Sequence, residues 1–363
     1  MIQTVIVGSG IIGRNHAAAI RRHPGLRVAA LVDTVAEANA ALAAEFPDDP
    51  PGCYPTLEQA LADRPIDLVA VCAPTGLHVD LVEQALAAGR HVVVEKPLDV
   101  TLKRARHLSD VVRDAEARGL VASVISQHRF DPASVVVAEA IAGGALGRLT
   151  SAVASVPWWR TQEYYDAAGW RGTWRFDGGV MMNQAVHTVD LLAWFMGAPV
   201  EVFAQSARLA HEGIETEDVA VATLRFPSGA LAVLHATTAG FPGLGVRLQV
   251  QGTRGSAVIH ADQLEYLATD GAAEDRTPSV VAAADRFGAG KPDDSFVVGH
   301  LRQYDDIARA IEKGGRPSVR VDDGITALAT VLAVYASAAL HRPVALDEVL
   351  RGDHDDVDFG SAL

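Results

Sequence analysis

Cysteine is nearly absent from this chain: 363 residues carry two, Cys53 and Cys72. Two thiols cannot build a disulfide scaffold, a cysteine-rich zinc site or an iron–sulfur centre. Basic residues are also few, with 31 Lys+Arg against 45 Asp+Glu and a formal net charge of -14. Sequence-independent nucleic-acid binding needs a basic face, so no nucleic-acid partner is expected. Charged residues make up only 21% and hydrophobic ones 49%, which excludes a mainly disordered chain. Polar residues break every apolar run before 18 in a row, so neither a transmembrane helix nor a membrane partner is expected. The chain opens MIQTVIVGSG, without a basic n-region or a cleavage signal, and the expected address is cytoplasmic.

What is present is organised in two styles. The length suggests about two domains. Over residues 1–125, short aliphatic runs (Thr4–Val7, Arg27–Val32, Leu68–Cys72, His91–Val94, Val121–Ile125) alternate with helical patterns at Gly13–Arg22, Val35–Phe46, Gly76–Ala88 and Leu102–Arg118. That alternation predicts βαβ units and a parallel sheet covered on both faces. Over residues 126–363 the pattern changes. A strand is expected at Arg148–Val156 and an apolar helix at Val180–Met196. Longer alternating segments follow at Val200–Ala207, Val219–Phe226, Ala230–Thr238, Val246–Gln251 and Ser256–His260. These predict an open, mainly antiparallel sheet, with a hairpin at Pro227-Ser228-Gly229. Residues 268–295 are expected to form a long exposed loop. Two helices are expected at His300–Glu312 and Gly324–Leu340, the second packing back on one of the domains. The fold class is thus α/β followed by α+β, with the boundary near residues 125–148.

Gly8-Ser9-Gly10-Ile11-Ile12-Gly13 spells GxGxxG after a strand and at the opening of a helix, and Asp33 ends the next strand. Such glycines bring backbone N–H groups against a pyrophosphate at a helix N-terminus, and an acid at that position binds ribose hydroxyls. The expected cofactor is NAD. No Lys or Arg between Thr34 and Phe46 is placed to neutralise a 2'-phosphate, which disfavours NADP. Residues 1–125 therefore read as a Rossmann dinucleotide-binding domain, and 126–363 as a substrate-binding and oligomerisation domain. Pro74, Thr75 and His78 follow another strand at its ligand-facing end, as do Glu95 and Lys96. Lys96, next to a buried run, calls for a partner or a role, and Pro97 restricts its backbone. His78 reads either as cofactor-facing or as a capping or solvent-facing histidine; the alternative for Lys96 is a surface lysine pairing with Glu95.

Residues 180–196 read VMMNQAVHTVDLLAWFM. At α-helical spacing Asn183, His187, Asp190 and Trp194 share one face. Burying an amide, an imidazole and a carboxylate together requires that they bond to each other or to a ligand. Asp190 could fix the His187 tautomer and turn the other ring nitrogen toward substrate; the alternative is a purely structural network. No metal is expected, because Asn is a poor ligand and no second His or carboxylate pair lies close by in sequence. Upstream, four of five tryptophans lie between Trp158 and Trp174, interleaved with Arg160, Tyr164, Tyr165 and Arg171. Arg160, Tyr164 and Trp174 are candidate sugar-binding groups, although aromatic packing gives the same composition.

Together these residues resemble the Gfo/Idh/MocA oxidoreductase family, which includes inositol dehydrogenases and many sugar dehydrogenases. The resemblance spans nearly the whole chain. Gly8 to Gly13 resembles its cofactor fingerprint, and Pro74, Thr75 and His78 its Pro-Thr…His segment. Glu95-Lys96-Pro97 resembles its Glu-Lys-Pro hallmark, and Gly178-Gly179 through His187 and Asp190 its glycine-rich opening followed by His-x-x-Asp. The resemblance implies a catalytic Lys96, often in a cis Lys-Pro bond, and a dimer or tetramer. The inositol branch typically carries Asp where this chain has Asn183, which disfavours inositol relative to a sugar. Asn183 cannot take a proton but can orient a hydroxyl as donor and acceptor.

The expected chemistry is hydride transfer between a secondary hydroxyl of a sugar, glycoside or cyclic polyol and NAD. Lys96, His187 and Asn183 are the catalytic candidates. Spacing leaves open whether Lys96 or His187 takes the proton. Three alternatives have distinct signatures. An inositol 2-dehydrogenase accepts myo-inositol, an NAD-dependent glycosidase using transient oxidation builds no reduced cofactor, and a non-catalytic NAD-binding sensor does neither. An antiparallel sheet with little sequence left to cover its second face predicts a homodimer or homotetramer through that sheet.

Overall fold

The computed structural model describes residues 1–271, 274–282, 285 and 295–363. One compact unit comprises Met1–Asp99, Arg104–Gln127 and a C-terminal stretch ending at Ile325. Its sheet has six strands: β1 (Ile2–Val7), β2 (Leu26–Val32), β3 (Gly52–Tyr54), β4 (Leu68–Val71), β5 (His91–Val94) and β6 (Ala122–Val124). They lie in the order β3-β2-β1-β4-β5-β6, all parallel. This is the doubly wound order whose switch point falls between β1 and β4. The strands are near-continuous aliphatic runs because helices cover both faces; Leu68, Val69, Ala70 and Val71 are all fully buried. β3 and the helix Leu57–Asp63, capped by the Thr56 hydroxyl, were not expected from sequence. The helix Ser295–Lys313 also belongs to this unit. Its Tyr304, Ile307 and Ala308 share a core with Ala17 and Ile20 of the helix Ile11–Arg22.

The second unit comprises Val100–Lys103, the chain from His128 onward through the second sheet, and Thr326–Leu363. Its eight strands are β7 (Leu149–Pro157), β8 (Glu201–Ala207), β9 (Val219–Arg225), β10 (Leu231–Thr237), β11 (Arg247–Gly252), β12 (Ser256–His260), β13 (Gln263–Ala268) and β14 (Val344–Ala345). The order is β13-β12-β11-β7-β10-β9-β8-β14. Every pairing is antiparallel except β10 with β7, which makes the sheet mixed. The helix Val186–Met196 packs on β7 on one face. On the other, Phe203, Thr223, Val233, Val153 and Gln249 form one cross-strand row. Phe203, Val233 and Val153 are exposed there, with Val221 and Leu231 beside them. The helix Pro132–Ala142 falls where sequence placed only a boundary.

Of the loop expected over 268–295, the described part contains a short helix, Thr277–Val280; residues 272, 273, 283, 284 and 286–294 lie outside the described residues. Among the described residues one helix, Val321–Leu340, is long and apolar enough to cross a membrane, but 67% of its apolar window is buried inside the protein. That is the composition of a core helix.

Candidate active site

The glycine loop joins β1 to the helix Ile11–Arg22. Gly8 has φ 103°, and a Cβ there would lie 2.5 Å from the Cys72 carbonyl oxygen. A Cβ at Gly13 would lie 1.9 Å from the Gly8 carbonyl oxygen, so the loop closes only without side chains. At Gly10 a Cβ would meet nothing within 4 Å, which marks the open side of the loop. The helix begins without a side-chain cap or an acid in its first turn. Its free N–H groups thus form an uncapped anion cradle that fits a dinucleotide pyrophosphate. Asp33 Oδ2 accepts the Ser9 N–H at 2.9 Å and Oδ1 the Val35 N–H at 2.9 Å, holding the carboxylate beside that loop. Exposed Ile11 and half-buried Ile12 flank the cradle.

At the end of β4, Pro74 is extended and Thr75 opens a short 3-10 turn that leads into the helix His78–Ala87. His78 is buried, with Nδ1 2.8 Å from the Pro97 carbonyl and Nε2 2.8 Å from the Ala73 carbonyl. Both ring nitrogens are therefore engaged with backbone, and the ring ties the end of β4 to the end of β5. Burial excludes a solvent-facing His78. Glu95 also points inward. Its Oε1 lies 2.9 Å from His16 Nε2 and 3.3 Å from His300 Nε2, and its Oε2 accepts the Lys96 backbone N–H at 3.0 Å. His16 Nδ1 lies 2.7 Å from the Tyr304 hydroxyl, and His300 Nδ1 donates to the Phe296 carbonyl. Burial pushes the Glu95 carboxyl up, but the hydrogen bonds from His16 and His300 outweigh it and hold the carboxyl well below the ordinary range. Burial lowers His16 below the usual imidazole value. The half-buried Lys96 thus stands on a fixed backbone, followed by a cis bond to Pro97. Sequence reasoning missed His16 and His300. The available signal was a histidine on the apolar face of the first helix, beside Ala17, Ala19 and Ile20.

In the second unit, the expected continuous helix from Val180 is a π turn at Met181–Ala185 followed by an α-helix at Val186–Met196. The wider turn changes the spacing between Asn183 and His187 from the regular i, i+4 relation. Asn183 donates through Nδ2 to Asp177 Oδ1, and Asp177 Oδ2 accepts the Gly172 N–H at 2.8 Å. His187 is half-buried and meets the His128 ring edge to face at 5.2 Å. His128 Nδ1 lies 2.7 Å from Asp131 and 3.5 Å from Asp262. Asp190, expected to orient His187, is gripped at both oxygens by Arg129, at 2.8 and 2.6 Å. The Arg129 guanidinium in turn lies 5.5 Å over Trp194. Among the described residues two groups of side chains have metal-ligand types and spacing, His16–Glu95–His300 and His128–Asp131–Asp262; both were beyond the reach of sequence spacing.

The aromatic stretch forms a cation–π ladder. Arg160 lies 5.0 Å from the Trp158 ring and 5.2 Å from Tyr164, and Arg171 lies 4.3 Å from Tyr164 and 5.4 Å from Trp170. Trp174 packs edge-on against Tyr335 at 5.1 Å and near Phe359 at 5.9 Å. Much of this aromatic surface is therefore spent on internal packing.

A doubly wound sheet with an open glycine cradle defines a dinucleotide-dependent protein, and a second, open-sheet domain narrows the class. The chain belongs to the Gfo/Idh/MocA oxidoreductase family: residues 2–124 match its NAD-binding Rossmann fold and residues 135–258 its C-terminal domain. It is a nicotinamide-dependent dehydrogenase acting on CH–OH groups. It is 28% identical over 358 residues to inositol 2-dehydrogenase of Rhizobium meliloti, covering 94% of this chain and 98% of that one. It is 30% identical to 1,5-anhydro-D-fructose reductase of Ensifer adhaerens, covering 92% and 95%. The WlbA dehydrogenase of Bordetella pertussis, crystallised with NADH and UDP-GlcNAcA, superposes with a TM-score of 0.83 at 29% identity, covering 95% and 97%.

Proposed function

We propose that this enzyme oxidises a ring secondary hydroxyl of a monosaccharide, small glycoside or cyclic polyol, with NAD as the preferred cofactor. The observation that carries the reading is the placement of Lys96 at the end of β5, in the same parallel sheet whose β1 ends in the open glycine cradle. The curated relatives' names, an inositol dehydrogenase and an anhydrofructose reductase, support a ring-shaped polyol. Bound NAD supplies the hydride acceptor. The backbone N–H groups at Gly10, Ile11, Ile12 and Gly13 would hold the pyrophosphate, with Gly8, whose N–H is spent on the Val32 carbonyl, shaping the turn, and Asp33 would accept from ribose hydroxyls. Lys96 donates to the reacting oxygen and stabilises its developing negative charge. In the second unit, His187 is a candidate acceptor of the hydroxyl proton, as Lys96 is in the first, and Asn183 is the candidate for orienting a neighbouring hydroxyl. The test is a panel of sugars, inositols and a UDP-linked hexuronic acid with NAD and NADP, followed by the absorbance of reduced cofactor. Net reduced NAD with one panel member, lost in Lys96→Ala with NAD affinity retained, is expected. Hydrolysis without net reduction, or tighter binding of NADP than NAD, overturns the reading.

The exposed row on the second sheet supports assembly. Val153, Phe203, Val221, Leu231 and Val233 are each more than a third exposed on one face. Five large apolar side chains exposed on one sheet face, interspersed with Thr223 and His235, favour an interface, and we assign it to a homodimer or homotetramer. Sedimentation should show a species larger than the monomer, and a Val221→Lys, Leu231→Lys variant should shift it to the monomer. A monomeric wild type at micromolar concentration rejects the assignment.

A further inference from the structure

The helix that carries Asn183 and His187 begins with four amides that have no partner inside it. Its first internal bond runs from the Asn183 N–H to the Gly179 carbonyl, 3.0 Å, which leaves Gly179, Val180, Met181 and Met182 open. All four are met by residues far away in sequence. Tyr335 Oη accepts from Gly179 at 3.3 Å and from Met182 at 3.2 Å. Glu217 Oε1 accepts from Met181 at 2.9 Å, and the Glu217 carbonyl accepts from Val180 at 3.1 Å. The Tyr335 hydroxyl donates its own proton to Glu217 Oε1 at 3.0 Å, so the two side chains act as one cap. Both residues are almost wholly buried.

The remaining oxygen, Glu217 Oε2, has no hydrogen-bond partner among the described residues. It lies against Gly179, where a Cβ would stand 1.8 Å from it. This gives the second glycine of the Gly178-Gly179 pair a physical reason: only a bare backbone admits the carboxyl. Burial, the largest influence, pushes this carboxyl up to about 8, in keeping with a neutral acid whose proton occupies Oε2.

The cap ends where the π turn begins. Met181 and Met182 are the first residues of Met181–Ala185 and also two of the capped amides. A π turn persists where its surroundings over-determine it, and here the surroundings are Glu217 and Tyr335. Relaxation to α spacing would rotate Asn183 about the helix axis relative to His187. Resting on the reading of Asn183 and His187 as site residues, we propose that Glu217 and Tyr335 are positioning residues, which cap this helix from outside and set where those two side chains stand.

The test compares Glu217→Gln, Glu217→Leu and Tyr335→Phe in the full chain. Glutamine keeps the accepting carbonyl oxygen; leucine removes it. Glu217→Leu and Tyr335→Phe are expected to speed amide exchange at Met181 and Met182 about tenfold, with the parallel sheet unaffected. They are expected to lower kcat by about tenfold or more, with NAD affinity within about twofold. Glu217→Gln is expected to restore both readouts to within about threefold of wild type. Wild-type exchange at these amides in the leucine and phenylalanine variants, or equal damage from glutamine and leucine, overturns the proposal. If Glu217→Leu fails to fold, Tyr335→Phe, which removes one oxygen, carries the test. Should the wild type oxidise no panel member, the proposed activity falls, while amide exchange and the His187 imidazole titration followed by NMR still decide the cap.

Discussion

Glu95 and Glu217 are both buried carboxyls behind a candidate catalytic side chain, one in each compact unit. Burial pushes both upward, yet they end on opposite sides of the ordinary carboxylate range. Glu95 faces two imidazoles and a backbone N–H; Glu217 faces a phenol and a backbone N–H. Desolvation is common to the two, so the partner decides. At Glu95 the hydrogen bonds from the two imidazoles outweigh burial, whereas at Glu217 those from a phenol and an amide do not. The first arrangement suits a rigid charged hub beneath Lys96, and the second a neutral cap beneath Asn183.

The largest expected effect comes from removing the hub. Glu95→Ala leaves His16 and His300 buried without their acceptor and should cost about 3–5 kcal/mol in urea unfolding. A loss under about 1 kcal/mol would show that the imidazoles do not hold a charged Glu95 carboxylate and would dissolve the contrast.

Next in size is the pH dependence, where the two carboxyls should act with opposite sign. The folded-state value of Glu95 is depressed, so its contribution is present above the ordinary carboxylate range and lost as pH falls below it. That of Glu217 is raised from 4.5 to about 8. Its contribution is complete below 4.5 and is lost as pH rises to about 8, at no more than about 1.4 kcal/mol per pH unit. Melting temperatures from pH 3 to 9 should therefore show Glu217→Gln gaining on wild type as pH rises through that window, with Glu95→Gln closing its deficit as pH falls. Differences of the same sign in both variants would refute the comparison.

The smallest stability effect belongs to Lys96. It contacts Glu95 through its backbone N–H, which alanine keeps. Lys96→Ala should therefore cost less stability than Glu95→Ala while lowering turnover by about 10²–10⁴-fold. A stability loss as large as that of Glu95→Ala would place Lys96 in the hub instead of the site.

The difference between the two units extends to what could be read before folding. In the first, β1, β2, β4 and β5 are short, mainly aliphatic runs, and their observed ends fall within two residues of the expected ones. The glycine loop and Asp33 were equally readable, because a tight turn and a strand end are local demands on neighbouring residues. β3, with three residues and no alternation, exists through pairing with β2 and left no periodic trace. The helix Pro132–Ala142 lies in a stretch that reads as a domain boundary.

In the second unit, residue types alone marked Asn183, His187 and Asp190 as a polar stripe in an apolar helix. They could not show that Arg129 grips Asp190 or that the helix opens with a π turn. Those features depend on Glu217 and Tyr335 meeting the amides of 179–182, just as the hub depends on His16 and His300 meeting Glu95. The sequence by itself determined the elements and the chemical types at the site, since hydrophobic period, glycine and proline act over a few bonds. Only the tertiary structure decided protonation, capping and helix register, because the low-dielectric interior and the donors that fix them are assembled from segments more than a hundred residues apart.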